Sequence, residues 1–124
     1  MPDAMFPVEM AGGVPVIGAP GEIDVTNAGQ FRQALLTSAA RGSGVIIVDM
    51  SRTQFCDSAG LHALVTVHRR VRADGGEVRL VIPDPGVLRI FAITGLDRVI
   101  ACHSDLGRAL APLSPHRPCP TRCA

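Results

Sequence analysis

Ser58 is the residue whose neighbours point most directly to chemistry. Asp57 precedes it and His62 follows four residues later. A serine and a histidine with this spacing share one side of a helix, which is the proximity that a nucleophilic Ser–His pair needs. The sequence has no Gly-x-Ser-x-Gly elbow around Ser58, however, and no identifiable oxyanion donors. A small serine hydrolase is therefore one alternative, without the features that usually accompany it.

Asp57 and Ser58 also have a structural interpretation. Both residue types cap the N-termini of helices well, because their side-chain oxygens accept hydrogen bonds from the first free backbone N–H groups. Capping accounts for the two residues from their position alone. It is compatible with a chemical role for the hydroxyl.

The elements around Ser58 predict where it lies in a fold. Residues 45–50 are apolar apart from Asp49 and do not alternate, which indicates a strand buried on both faces. From Ser58 onward the apolar spacing becomes helical. The predicted stripe comprises Leu61, Leu64, Val65, His68 and Val71. Ser58 is thus expected at the carboxyl end of a central strand, where α/β folds usually place functional groups.

Four segments resemble a known family, the STAS domain, and in particular the bacterial anti-sigma factor antagonists. Residues 48–51 (VDMS) and 55–61 (FCDSAGL) resemble its strand and Asp-Ser-small-Gly-Leu turn. Residues 21–24 (GEID) resemble the end of its second strand, and residues 93–100 resemble the segment between its third helix and last strand. The resemblance implies that Ser58 is a phosphorylation site.

The chain order agrees with that resemblance, which covers residues 8–111. We expect an α/β fold, a single STAS domain at 1–112, with a mixed sheet of about five strands flanked by about four helices. The predicted order is β-β-α-β-α-β-α-β-α, and residues 113–124 are expected to be a Pro-rich flexible tail. The strands are predicted at 6–10, 14–18, 45–50, 77–82 and 98–103.

Local signals predict the helix ends. Asn27, with Gln30 three residues on, resembles a capping box for the first helix. Asp84 before Pro85 is a typical start for the third, and Gly95 ends it. That third helix is apolar nearly all round, so it is either buried on both sides or shows an apolar patch to a partner.

The resemblance also implies a mechanism and partners. In the family, the unphosphorylated antagonist binds an anti-sigma factor that is also an ATP-dependent serine kinase, and the sigma factor is released. Phosphorylation abolishes binding, and a phosphoserine phosphatase resets the system. Ser58 would be a phosphoacceptor in a protein that is not an enzyme and needs no cofactor. The implied partner surface comprises Glu22, Asp24, Asp57, Ser58, Ala59, Gly60, Leu61 and His62.

Composition excludes several other classes. Net charge is +1 and aromatic residues make up only 3% of the chain, so neither a polyanion-binding surface nor a base-stacking platform for nucleic acid is expected. There is no lysine for a P-loop. The N-terminus lacks the features of a signal peptide and no apolar run is long enough to span a membrane, which predicts a cytoplasmic protein.

Other interpretations stay open. STAS domains also serve as accessory subunits of membrane transport or stress-signalling complexes, and some bind nucleotides or lipids, although no feature of this sequence indicates a pocket. His68 is expected to be a hydrogen-bonded core histidine and Cys56 a small packing residue. His116, Cys119 and Cys123 would make an incomplete metal site, since zinc usually takes four ligands. The oligomeric state is left open.

Overall fold

The computed structural model describes residues 6–41 and 44–111. The predicted tail at 113–124, with His116, Cys119 and Cys123, lies outside the described residues. The strands are β1 (Val8–Ala11), β2 (Val14–Gly18), β3 (Glu22–Ile23), β4 (Val45–Asp49), β5 (Phe55–Cys56), β6 (Glu77–Val81) and β7 (Ala101–His103). The helices are α1 (Ala28–Arg41), α2 (Ser58–Ala73), α3 (Pro85–Thr94) and α4 (Leu106–Leu110).

Five of the strands form a mixed sheet in the order β1-β2-β4-β6-β7. β1 runs antiparallel to β2, and the other pairs are parallel. This sheet and the four helices confirm the predicted α/β fold and its chain order. β1 lies at the edge of this sheet, which suits the proline just before it, Pro7, and it begins at Val8 rather than at the predicted Phe6.

The short strands β3 and β5 pair in parallel as a separate two-stranded sheet. The prediction that residues 21–24 end the second strand is therefore wrong. β2 stops at Gly18. The last backbone hydrogen bond from this part of the chain to β4 runs from the N–H of Ala19 to the carbonyl of Asp49 at 2.9 Å. Pro20 follows and has no N–H to continue the ladder, so the chain leaves the main sheet.

The side chains on the two faces of the main sheet pack into two separate cores. Along β4, Ile46, Ile47 and Val48 are all 0% exposed, which confirms a strand buried on both faces. Ile46 and Val48 join the main core under α1, α2 and α3, together with Phe31, Leu64 and Phe91. Ile47 joins a smaller core on the other face, where Ala109 of α4 packs.

The buried face of α2 differs from the predicted stripe. The fully buried residues are Gly60, Ala63, Leu64, Val67 and Val71, so Leu64 and Val71 are confirmed. Leu61, Val65 and His68 are only half-buried. The small residues at positions 60 and 63 let the helix approach its neighbours closely, and this rotates the buried face by about one position.

His68 does not have the hydrogen-bonded environment that the sequence predicted. Its Nδ1 atom is buried and, among the described residues, has no hydrogen-bond partner. Burial lowers the pKa of His68, and the nearby guanidinium groups of Arg72 and Arg69 lower it further, against a smaller opposite effect of Glu77. The imidazole therefore prefers its neutral form.

The third helix begins and ends as predicted. Asp84 caps it by accepting from the N–H of Gly86 at 2.8 Å, Pro85 is its first residue, and Gly95 ends it at φ +82°. Val87 and Phe91 are buried, whereas Leu88 and Ile93 are exposed. Of the two predicted environments, α3 thus has the second, with an apolar patch at the surface.

The last strand is shorter than predicted. It begins at Ala101 rather than Arg98, because residues Leu96–Arg98 form a 3₁₀ turn. The N–H groups of Val99 and Ile100 both donate to the carbonyl of Leu96 at 2.9 Å, which keeps these residues in the turn.

A buried arginine holds α4 to the sheet. The side chain of Arg79 in β6 donates from Nη1 to the carbonyls of Ala109 at 2.6 Å and Ala111 at 3.0 Å. Its Nη2 donates to Oε1 of Glu77 at 3.3 Å. Sequence reasoning placed Arg79 in a strand but did not anticipate its burial, because its partners are backbone carbonyls that only the folded chain brings near.

Candidate functional site: the surface around Ser58

The two-stranded sheet brings the two predicted parts of the site together. Glu22 pairs with Phe55, and Ile23 pairs with Cys56. The N–H of Asp57 then donates to the carbonyl of Ile23 at 3.0 Å. Residues 22–24 therefore lie directly beside the turn that leads to Ser58, although more than thirty positions separate them in the sequence.

Asp57 is the N-cap of α2. Its Oδ1 accepts from the N–H groups of Ala59 at 2.9 Å and Gly60 at 3.1 Å. Ser58 is the first residue of the helix and is exposed. Because Asp57 does the capping, the hydroxyl of Ser58 makes no hydrogen bond to another described residue and is open to a partner.

Gly60 explains why the turn needs a glycine at this place. A Cβ at this position would come within 2.7 Å of both Sγ of Cys56 and Cγ2 of Ile23. Carbon atoms in good contact lie about 3.5–4.0 Å apart, so a side chain would collide with both strands. The missing side chain lets the first turn of α2 rest directly on the two-stranded sheet.

Asp24 closes the turn that follows β3. Its Oδ1 accepts from the N–H of Thr26 at 2.9 Å and from the Thr26 hydroxyl. These bonds, the hydroxyl bond first, hold the pKa of the Asp24 carboxyl below its usual value, against a small opposing effect of burial. Asp24 is thus a fixed negative charge at this surface.

Asn27 does not form the predicted capping box with Gln30. Its Nδ2 donates to the carbonyl of Glu22 at 2.9 Å, and its Oδ1 accepts from the N–H of Asp24 at 2.9 Å. Both side-chain groups are used to tie the segment 22–24 to the start of α1. The sequence suggested a local bond because asparagine favours caps, whereas the folded loop offers it two backbone partners.

The surface around Ser58 is acidic. It carries the carboxylates of Glu22, Asp24 and Asp57, and the ion pairs found among the described residues involve other acids, at Asp74, Glu77 and Asp105. A phosphate on Ser58 would add roughly −1.5 to −2 charges to this surface. A partner that binds it in the unmodified state should present basic groups.

The remaining predicted site residues have different environments. Ala59 and Leu61 are half-buried, and Leu61 packs against the main core. His62 is exposed on α2, and the hydrogen bonds of the described residues include none between it and Ser58. Ser58 therefore lacks, in this structure, the bond by which a histidine would activate it as a nucleophile.

Cys56 is confirmed as a packing residue. It is 3% exposed and belongs to the main core beneath the turn. Burial, with a further contribution from the charge of Asp57, raises the pKa of its thiol to about 12. Since the thiolate is the reactive form, Cys56 is an inert thiol in the folded protein.

Sequence reasoning missed two apolar residues at this surface. Val25, at the corner of the turn closed by Asp24, is 76% exposed. Phe55, opposite Glu22 in β5, is 48% exposed. The available signal was the pair Phe55-Cys56, since neighbouring strand residues point to opposite faces and only one can enter the core.

The structure also contains a cavity that the sequence did not indicate. It has a volume of about 360 Å³ and lies at the carboxyl ends of β2 and β4. Its lining includes Glu9, Asp49 and Arg52, together with residues 18–21. Within the described ranges 6–41 and 44–111 there is no cluster of metal-ligating side chains, and no helix is long and apolar enough to cross a membrane.

Comparison with known proteins identifies relatives of this fold. The family model of the STAS domain matches residues 5–109. An anti-sigma-B factor antagonist of Bacillus subtilis is 34% identical over 80 residues, which are 64% of this chain and 72% of that protein.

Solved structures agree with the sequence matches. An anti-sigma factor antagonist from Mycobacterium paratuberculosis superimposes with a TM-score of 0.77 and 30% identity, covering 85% of this chain and 89% of that one. The anti-sigma factor antagonist SpoIIAA in its unphosphorylated form gives 0.70 and 28%, covering 85% and 92%. Its phosphorylated form from Bacillus gives 0.63 and 26%, covering 85% and 96%. With a match over most of its length, this chain belongs to the STAS domain family.

Proposed function

We propose that this protein is an anti-sigma factor antagonist whose binding is switched by phosphorylation of Ser58. In the unphosphorylated form it binds an anti-sigma factor that is also an ATP-dependent serine kinase, and the sigma factor is released. Phosphorylation at Ser58 abolishes binding, and a phosphoserine phosphatase restores it. The observation that carries the proposal is the exposure of the Ser58 hydroxyl at the start of α2. Asp57 caps this helix, and the surface around it is acidic.

The kinase would supply the chemistry and the antagonist the acceptor. Oγ of Ser58 forms the new bond to the γ-phosphorus of ATP, the bond to the β-phosphate oxygen breaks, and ADP leaves. The hydroxyl proton passes to a base of the kinase. The antagonist is thus a substrate of its partner and has no catalytic group in this step.

The fold should tolerate the phosphate. The N-terminus of α2 carries the positive end of the helix dipole, which favours a nearby negative charge by about 0.3–1 kcal/mol. The side chain of Ser58 is exposed, so a phosphate would displace no core residue. SpoIIAA supports this point, because its unphosphorylated and phosphorylated forms both superimpose on this chain.

The complex should not tolerate it. The basic groups of the partner would already face the carboxylates of Asp57 and Asp24. A dianion at Ser58 would therefore be buried without a counterpart of its own. Burying a charge without its counterpart at an interface costs about 2–5 kcal/mol. At about 1.4 kcal/mol for each factor of ten, this weakens affinity by about 30-fold to several thousand-fold.

The proposed partner surface surrounds Ser58. It comprises Glu22, Asp24, Asp57, Ser58, Ala59, Gly60, Leu61 and His62. The bond from the N–H of Asp57 to the carbonyl of Ile23 and the pairing of β3 with β5 support this grouping, since they join the two segments into one surface.

Co-purification from the native cell tests the proposal, with wild type, Ser58→Ala and Ser58→Asp as baits and mass spectrometry of the recovered proteins. We expect an ATP-binding anti-sigma factor with wild type and Ser58→Ala, and its loss with Ser58→Asp. Recovery of the same membrane transporter subunits by all three forms would contradict the proposal and favour an accessory subunit of a transport complex.

A further inference from the structure

We propose that Val25 and Phe55 anchor the anti-sigma factor on this surface, by entering an apolar depression of that protein that basic side chains surround. The proposal rests on the proposed function and specifies the chemistry of its partner. The two side chains are called the Val25–Phe55 patch below.

The structure fixes both residues where they cannot turn inward. In the two-stranded sheet Ile23 is 0% and Cys56 3% exposed, so Glu22 and Phe55, their neighbours, point to the opposite, outer face. Val25 stands at the corner of the turn that Asp24 closes through Thr26. Strand pairing therefore holds Phe55, and the bond that closes the turn holds Val25, so neither can join the core by changing rotamer.

The patch is continuous with the Ser58 surface. Phe55 precedes Ser58 by three residues and Val25 follows Glu22 by three, and three residues span at most roughly 10 Å even when fully extended. Glu22 lies opposite Phe55 in the sheet register. A standard interface covers about 800 Å² on each partner, which is enough to include both apolar side chains and Ser58.

The charges around the patch identify the kind of occupant. Glu22, Asp24 and Asp57 border it, with Arg52, three residues before Phe55, as an opposite charge. None of the three acids takes part in an ion pair among the described residues. An aromatic and an aliphatic side chain within a polar rim form the pattern of an interface centre, where aromatic anchors carry much of the binding energy. Complementarity then requires apolar groups facing Val25 and Phe55 and basic groups around them.

Two exposed apolar residues elsewhere, Ile93 of α3 and Val99 after the 3₁₀ turn, provide matched controls. Ile93 is as exposed as Val25, at 76%. Val99 is 52% exposed, which is similar to the 48% of Phe55. Neither belongs to the two-stranded sheet or to its turns. Serine at these positions removes a similar apolar surface without touching the Ser58 surface.

The test is a calorimetric titration of the purified anti-sigma factor recovered in the co-purification. The titrants are wild type, Phe55→Ser, Val25→Ser, Ile93→Ser, Val99→Ser and Ser58→Asp, each first shown to unfold at a melting temperature near that of wild type. We expect about 30-fold weaker binding for Phe55→Ser and about five-fold for Val25→Ser, as for anchor and supporting residues. Ile93→Ser and Val99→Ser should bind like wild type, and added salt should weaken all binding because the rim is mainly acidic.

The outcomes separate this inference from the proposed function. If Ser58→Asp loses binding while Phe55→Ser and Val25→Ser bind like wild type, the inference is wrong and the proposed function stands. If Ser58→Asp binds like wild type, or no anti-sigma factor is recovered, the proposed function fails and the inference with it. If sedimentation shows that wild type is a dimer and Phe55→Ser a monomer, a second copy covers the patch and the inference is wrong.

Discussion

Gly60 of α2 lies against Ile23 of β3 so closely that a methyl group on Gly60 would stand 2.7 Å from Cγ2 of Ile23. This contact joins the two segments of the proposed partner surface, which the sequence separates widely. The position of Ser58 relative to Glu22 and Asp24 thus depends on Gly60 having no side chain.

Gly60→Ala should destabilise the protein even though alanine favours helices. Overpacking a tight core contact costs about 1–3 kcal/mol, whereas alanine in place of glycine gains up to about 1 kcal/mol in a helix. Since Ile23 is buried and β-branched, it cannot move aside easily, and we expect a net loss of roughly 1–2 kcal/mol in the free energy of unfolding. Urea denaturation measures it.

Gly29→Ala is the control for that substitution. Gly29 also lies in a helix, α1, but nothing stands within 4 Å of a Cβ at this position. It should therefore stabilise the protein, by up to about 1 kcal/mol. Equal effects of the two substitutions would show that the contact with Ile23 and Cys56 does not constrain α2.

Asp57 should reveal separate contributions of capping and charge. Asp57→Ala removes the acceptor for Ala59 and Gly60 and should lower the free energy of unfolding by about 1 kcal/mol. Asp57→Asn keeps an acceptor oxygen and should retain most of that stability. If Asp57→Asn nevertheless binds the anti-sigma factor more weakly than wild type, the charge contributes to the interface. Equal losses of stability in both variants would contradict the capping role.

The sequence was sufficient for the fold and for the central turn, because both depend on local patterns. The apolar run of β4, the helical spacing after Ser58 and the Asp84-Pro85 start of α3 are visible in neighbouring residues. Contacts between distant segments were not visible. The pairing of β3 with β5, the side-chain bonds of Asn27 and the exposure of Phe55 depend on which backbone the folded chain brings nearby. Single-sequence periodicity does not contain that information.

A substitution of Arg79 tests how α4 is held to the sheet. Arg79→Met keeps most of the aliphatic length but leaves the carbonyls of Ala109 and Ala111 without this donor. Leaving a buried polar group unsatisfied costs about 1–3 kcal/mol, and we expect a loss of about 2 kcal/mol in urea denaturation, with faster hydrogen exchange in α4.

Arg70→Met serves as the control for Arg79. Arg70 pairs with Asp74 at 4.0 Å, and both side chains are largely exposed. Such surface pairs contribute about 0–1 kcal/mol, so the control should change stability little. If Arg79→Met were as mild as Arg70→Met, the hydrogen bonds to α4 would not be important for stability.

The stability of the protein should depend on pH because of two histidines. Burial is the main cause that lowers the pKa of His68 and of His103, and Arg79 lowers the latter further. In the unfolded chain the histidine pKa values are about 6.5. As the pH falls, the unfolded chain therefore binds protons before the folded protein does. Their contribution to stability is complete above that pH and is lost as the pH falls through it towards the lower folded values.

Urea denaturation at pH 7.5 and pH 5.0 tests this dependence. The double variant His68→Gln/His103→Gln removes both groups, so its stability should fall less between these two values than that of wild type. An equal fall in both proteins would show that the pH dependence has another origin.

The phosphorylation switch is tested most directly by comparing the affinity of wild type for the purified anti-sigma factor with that of protein carrying phosphoserine at position 58. Phosphoserine at Ser104, which is exposed and follows β7 at the sheet edge, adds the same charge elsewhere. We expect phosphate at Ser58 to weaken binding by at least about 30-fold, and phosphate at Ser104 to leave binding close to that of wild type. Unchanged affinity with phosphate at Ser58, or equal weakening at both positions, would show that Ser58 is not the switch.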